Sequence, residues 1–266
     1  LERPVLAPTI YPSRSPSFFP SNVRSLAPSY KPSSIPSVAP SSSIAPSVRP
    51  SVTPSFCPAG EYDSQISFED FEGRDSATIL DGWTDGVLNS DEAASFTQFL
   101  GRLGSHVVSN VPSKTYSILP NAAHVIVVVD VYELDDWDPY NGSTGDYVEI
   151  RMSGGSSSLD SYDFFRISFD SNADETVRSG SSNGGSITWS MASQASMDVG
   201  FAANIVDQIH TVTIIIPGDF VASSNALKMG FFFKTSAGFD NESGGIDNLR
   251  VVACLSLATS ALDQQV

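Results

Sequence analysis

The sequence predicts an all-β protein: a jelly-roll β-sandwich over residues 59–266, preceded by an extended polyproline II arm over residues 1–58. Three observations predict it. Thirteen of the 17 prolines fall in residues 1–58, and the rest of the chain holds only Pro112, Pro120, Pro139 and Pro217. From residue 66 onward the apolar residues alternate with polar ones or form short continuous runs, both of which are strand patterns. Between these stretches lie turns rich in Gly, Ser, Asn and Asp, such as 141–145 and 180–185. Many short strands at turn-rich spacing in about 200 residues describe two packed sheets, not a helical or α/β fold.

Within the arm, prolines 4, 8, 12, 16, 20, 28, 32, 36 and 40 keep a four-residue spacing with Arg24 in one slot, and the beat resumes at 46, 50, 54 and 58. Serine follows most of them, so the unit is Pro-Ser-x-x, a true tetrapeptide repeat. Proline fixes φ, removes a donor and restricts the residue before it, which leaves polyproline II as the regular conformation open to such a segment. At ~3.1 Å per residue the 58 residues span roughly 180 Å. The x positions carry Tyr11, Phe18, Phe19, Leu26, Tyr30, Ile35 and Val38, too apolar for an ordinary solvated linker. A bare polyproline helix offers these side chains no cover. O-glycans on the serines that follow proline, notably Ser13, Ser17, Ser29, Ser33, Ser37, Ser47 and Ser51, would supply it, as would neighbouring subunits. All thirteen arm prolines fall on even positions. In an extended strand the odd edge therefore keeps every N–H and is free to pair with another subunit's sheet.

The expected strands are 66–71, 124–132, 147–152, 164–169, 186–191, 210–216, 229–234 and 246–253. One short helix is expected at 92–100. The continuous runs 125–129 and 231–233 suit strands covered on both faces.

Lys and Arg total 14 against 30 Asp and Glu, giving a formal charge of -16. That balance argues against nucleic acid or an anionic membrane as a partner and favours calcium or a basic partner. Arg3, Arg14, Arg24, Lys31 and Arg49 against Glu2 leave the arm at +4 and the remainder at -20. Opposite signs invite contact between the arm of one copy and the head of another. No run approaches the roughly 18 apolar residues of a spanning helix, and residues 1–4 show no secretory h-region, so the reading is a processed soluble chain without membrane insertion. The two cysteines, Cys57 and Cys254, are too few for a thiolate zinc site. Lying at the two borders of the sandwich, they are expected to form one disulfide, since domain termini are often close in space.

The segment Phe68-Glu69-Asp70-Phe71-Glu72-Gly73 followed by Gly82-Trp83, together with Gly244-Gly245-Ile246-Asp247-Asn248, resembles the opening and closing motifs of MAM-type and carbohydrate-binding jelly rolls. The resemblance implies a structural calcium shared by Glu72 and Asp247. The arm, separately, resembles the Pro-Ser tetrapeptide-repeat surface glycoproteins of diatoms and other aquatic microbes. That implies an extracellular structural role with glycosylated serine.

Other acidic loops are candidate calcium ligands by their chemistry: Asp135, Asp136 and Asp138, and Asp240 with Glu242. Residues 133–138, Glu-Leu-Asp-Asp-Trp-Asp, resemble the signature of family-16 glycoside hydrolases, with Asp where that family has its final Glu. The resemblance implies Glu133 as nucleophile and Asp138 as acid, although residues 133 and 138 face opposite sides of a regular strand. Residues 180–184 match the letters of a nucleophile elbow but sit in a Ser/Gly turn without its strand-to-helix context. His106, His124 and His210 are isolated and read as structural. Trp137 and Tyr140, beside acids in a loop, are candidates for stacking on a sugar. Asn141 and Asn241 head N-glycosylation sequons in expected surface loops.

Taken together, the sequence points to a non-enzymatic, extracellular structural glycoprotein that polymerises with itself through the arm. A carbohydrate-binding module on a glycosylated stalk and a glycoside hydrolase are the alternatives.

Overall fold

The computed structural model describes residues 55–72, 80–89, 97–104, 111–140, 144–155, 163–169, 178–195, 200–201, 205–236 and 242–256. All of them belong to one unit, Ser51–Val266. The repeat serines from Ser13 to Ser51 lie outside the described residues, as do His106, Asn141, Asp240 and Asn241.

The chain folds into two antiparallel sheets facing each other. In order the strands are β1 (Glu61–Glu69), β2 (Trp83–Thr84), β3 (Leu88–Asn89), β4 (Phe99–Leu103), β5 (Ser113–Ser117), β6 (Ala122–Asp135), β7 (Tyr147–Gly154), β8 (Asp163–Ile167), β9 (Arg178–Ser182), β10 (Ile187–Ser193), β11 (Gln208–Pro217), β12 (Ala226–Lys234) and β13 (Glu242–Ser256), with a one-turn helix α1 (Gly218–Ala222) between β11 and β12. One sheet runs β3-β4-β13-β6-β11-β10-β9, with β1 also paired to β13; the other runs β2-β5-β12-β7-β8. The principal strands thus lie as β4-β13-β6-β11 facing β5-β12-β7-β8, the strand order of a jelly roll.

Alternation builds the core. Val125, Val127, Val129 and Val131 of β6, Val212, Ile214 and Ile216 of β11, Val148, Ile150 and Met152 of β7, and Leu227, Met229, Phe231 and Phe233 of β12 meet between the sheets. Ile126 points the other way and packs with Val252 and the disulfide sulfurs, so the 125–129 run is covered on both sides.

The disulfide between Cys57 and Cys254 joins the end of the repeat segment to β13, with a Cα–Cα distance of 5.5 Å across 197 positions of chain. Asp63 of β1 fastens the same junction. Its carboxylate accepts hydrogen bonds from Ser55 Oγ (2.7 Å), the Phe56 N–H (3.1 Å) and the Cys57 N–H (3.2 Å). Slight burial works in the other direction, yet these three donors hold the Asp63 carboxyl below its ordinary range.

All eight expected strands are present, most of them longer than expected. The expected helix at 92–100 is corrected at its described end: Phe99 and Leu100 open β4, which pairs with β13 through Gly245 and Ile246. Partner-strand hydrogen bonds override the local helical pattern there.

Candidate metal site

β6 ends at Asp135, whose φ of +67° turns the chain sharply. Trp137 then plugs the end of the sandwich. It is 0% exposed, packs on Phe169 and Phe233, and donates its indole N–H to the carbonyls of Leu134 (3.1 Å) and Ser243 (2.7 Å). The sequence offers Trp137 as a candidate for stacking on a sugar, against the core position usual for sandwich aromatics. Burial removes it from that role, and the loop's apolar side chain goes to the core as most aromatics of a sandwich do.

Anchoring Trp137 swings Asp138 outward, where it meets two acids from other elements. The Asp138 N–H donates to Asp146 Oδ2 (2.6 Å), and the Asp146 N–H returns to the Asp138 carbonyl (2.8 Å). Asp146 Oδ1 also accepts the Ser236 N–H (2.6 Å), and Ser236 Oγ donates to Glu242 at the start of β13 (3.1 Å). Carboxylate oxygens of Asp138, Asp146 and Glu242 all lie within 4.8 Å of one another. A cavity of about 340 Å³ adjoins them, lined by Asp138, Pro139, Thr144, Gly145 and Ser236. Gly145 must be glycine here: its φ is +97°, and a Cβ would press on the Pro139 carbonyl carbon and Tyr140 Cα at 2.8 Å.

Burial pushes the Asp146 carboxyl up to about 6, with the charges of Glu242 and Asp138 adding to the shift and the two backbone donors opposing it. Three carboxylates held this close repel one another, and a bound cation would relieve that repulsion. Oxygens that each sit at ~2.4 Å from one Ca²⁺ ion lie at most ~4.8 Å apart, so the spacing fits a hard divalent cation, with the Ser236 hydroxyl as a further oxygen donor. Cys57, Glu61 and Cys254 also converge, but both sulfurs are committed to the disulfide.

Of the sequence candidates, Asp138 therefore joins Glu242, together with Asp146, which sequence reasoning missed. Asp135 is held elsewhere: it is buried, faces Arg102 at 3.6 Å and accepts the Phe201 N–H at 3.0 Å. Asp247 is buried in β13 and accepts hydrogen bonds from Tyr132 Oη (2.9 Å) and the Asn248 N–H (2.7 Å). Burial raises its carboxyl to about 6, helped by the charges of Glu72 and Asp130. Glu72 and Asp247 are thus electrostatic neighbours, but among the described residues no group of three His, Cys, Asp or Glu ligand atoms gathers around them.

A second polar constellation lies between the sheets. Ser193 Oγ is 2.9 Å from His210 Nδ1, and His210 Nε2 is 2.9 Å from Glu133 Oε2. The connectivity is that of a hydrolytic triad, with the ring nitrogens exchanged. Its surroundings differ. His210 is fully buried and stacks on Phe169 at 4.0 Å and 5°, and burial, with Arg178 adding, pushes the imidazole well below its ordinary pKa. Glu133 is 1% exposed, so the hydrolase resemblance places its nucleophile where no glycan reaches. Glu133 and Asp138 belong to different clusters. Residues 180–184 close β9 and enter the 3₁₀ turn Asn183–Gly185 that leads to β10, a hairpin without the α-helix a nucleophile elbow opens. His124 of β6 lies 3.0 Å from Glu61 of β1, the two strands flanking β13 on opposite sides.

No family model, no curated protein and no solved structure matches this chain.

Proposed function

We propose that the chain is a secreted, non-enzymatic structural glycoprotein, a jelly-roll head on an O-glycosylated Pro-Ser arm, whose copies assemble into a surface fibre or wall layer. The observation that carries this reading is the junction: a disulfide and a three-donor carboxylate clamp tie the last residues of the repeat to the head. A tether built to bear load suits an assembly subunit, and a buried structural disulfide suits an oxidising, extracellular compartment. The +4 arm and -20 remainder supply attraction between copies.

Electron microscopy of the full chain beside one lacking residues 1–54 tests the reading, with circular dichroism as the folding check. Filaments are expected only with the arm present. Filaments that persist without the arm, or a full chain that stays monomeric at every concentration, would overturn it.

Calcium is the cofactor this reading assigns, held by Asp138, Asp146 and Glu242 as a structural ion. A ligand at a hundred times its Kd stabilises by about 2.7 kcal/mol, so Tm in calcium should exceed Tm in chelator by roughly 5–10 °C. Asp146→Asn should erase that calcium-dependent difference whatever it does to basal stability. Equal Tm values for the wild-type chain in calcium and in chelator would remove the ion from the account.

A further inference from the structure

The outer face of the five-stranded sheet carries a chemistry that neither the core nor the acid cluster uses. On β7, β8 and β12 the residues opposite in parity to the core point outward: Tyr147, Glu149 and Arg151, Phe164 and Arg166, Phe232 and Lys234. Strand register sets Glu149 beside both Phe232 and Arg166, Arg151 beside Phe164, and Tyr147 beside Lys234. Buried Glu149 binds Arg151 (2.7 Å) and Arg166 (2.8 Å) at once, so two guanidiniums share one carboxylate. The rings form the floor under these cations. Arg166 Cζ is 3.9 Å from the Tyr147 ring centroid, Arg151 Cζ is 4.7 Å from that of Phe232, and Lys234 Nζ is 5.5 Å from that of Tyr147.

The charge on this face runs against the rest of the head. Beyond the arm the chain has nine basic residues, and four of them, Arg151, Arg166, Lys228 and Lys234, project here against one described carboxylate. Everything outside the arm sums to -20, so a cationic face is a local concentration and not an average. A cleanly solvated surface needs no aromatic floor either. Phe164 is 45% exposed at the rim, and the Arg166 side chain is 32% exposed. Arg166 Cζ lies 5.2 Å from the Tyr140 ring centroid and 5.9 Å from that of Phe164. Guanidiniums braced on rings and on a buried carboxylate have already lost much of their rotamer entropy, which lowers the cost of gripping an anion.

We propose that this face docks an anionic polysaccharide, with carboxylate or sulfate groups held by Arg166 and Lys234 and sugar rings laid against Phe164 and Tyr140. The ligand must present an anion and an apolar ring face in close succession. Uronic-acid and sulfated sugars repeat that pairing along the chain, whereas an acidic protein surface offers the charge without the stacked rings. This inference is independent of fibre formation.

Affinity electrophoresis of the full chain through gels holding dextran sulfate, dextran or polyglutamate tests it, at low and at high salt. Dextran sulfate should retard the chain, and neutral dextran should not. Arg166→Ala should weaken the retention about tenfold or more, a change of about 1.4 kcal/mol. Because Arg166 also supports buried Glu149, Phe164→Ala provides a rim variant that leaves that ion pair in place, and it should weaken retention several-fold. Arg250→Ala, over Phe56 and Phe68 on the other sheet, should leave it unchanged. Equal retention of wild type, Arg166→Ala and Phe164→Ala overturns the proposal. So does retention by polyglutamate as strong as by dextran sulfate. A sedimentation change in Arg166→Ala without polysaccharide would assign the face to a second copy instead.

Discussion

Replacing Cys57 and Cys254 by serine is expected to cost about 5 kcal/mol, because the bridge closes a loop of 197 positions and the chain-entropy gain rises with the logarithm of loop length. For a unit of this size that corresponds to a fall in Tm of roughly 10–20 °C. The sulfurs also pack with Ile126 and Val252 on the outer side of the larger sheet, so serine leaves polar groups in an apolar cluster. Differential scanning calorimetry of the double variant measures the loss. A change below about 1 kcal/mol would mean that the unfolded chain is already compact enough for the link to matter little.

His210→Ala is expected to cost about 3–5 kcal/mol, through loss of the hydrogen-bonded partner of buried Glu133 and a cavity facing Phe169. Ser193→Ala removes one hydrogen bond and is expected to cost about 1 kcal/mol. Urea unfolding measures both. The same residues set a pH dependence whose sign follows from linkage. Burial depresses the folded-state pKa of His210, so the unfolded chain takes up the proton first as pH falls below about 6.5. This contribution is fully present above that pH and declines toward the lower folded-state value; in His210→Ala it is absent. The constellation is also a direct check on the non-enzymatic reading, since p-nitrophenyl ester hydrolysis that disappears in Ser193→Ala would make the relay a working triad.

The strands legible in the sequence are those whose own side chains declare a buried face. β6, β7, β11, β12 and β13 carry alternating or continuous Val, Ile and Phe, and each forms where expected. β5, with the sequence Ser-Lys-Thr-Tyr-Ser, and β9, Arg-Ser-Gly-Ser-Ser, contain too few apolar residues for a period to register, and they exist because β12 and β10 offer them backbone partners. The candidate metal site divides the same way. Asp138 and Glu242 stood out as acids in loops. Asp146 did not, because it sits at the mouth of β7 beside Tyr147 and joins the others only through the turn that Trp137 fastens. Nothing local to Trp137 indicates whether its ring faces solvent or core; that depends on the Leu134 and Ser243 carbonyls, the second of them 106 positions away. The basic face was equally hidden, since its cations are scattered from Arg151 to Lys234 and converge only by register.

The disulfide also fixes the route by which tension on the arm enters the head. Among the described residues β1 pairs with β13 alone, in antiparallel register from Glu61 opposite Ser256 to Glu69 opposite Leu249, so a pull applied at Glu61 would unzip that pair one hydrogen bond at a time. The bridge intercepts the pull four residues earlier. At Cys57 the load crosses to Cys254, in a strand flanked by β1 on one side and β6 on the other, opposite Asp63 and His124. Force is delivered to an interior strand, where many backbone bonds must yield together, and β1 is left slack. Under tension the bridge would act as a rivet set near the C-terminal end of a strand flanked on both sides, and reduction would turn the same junction into a zipper.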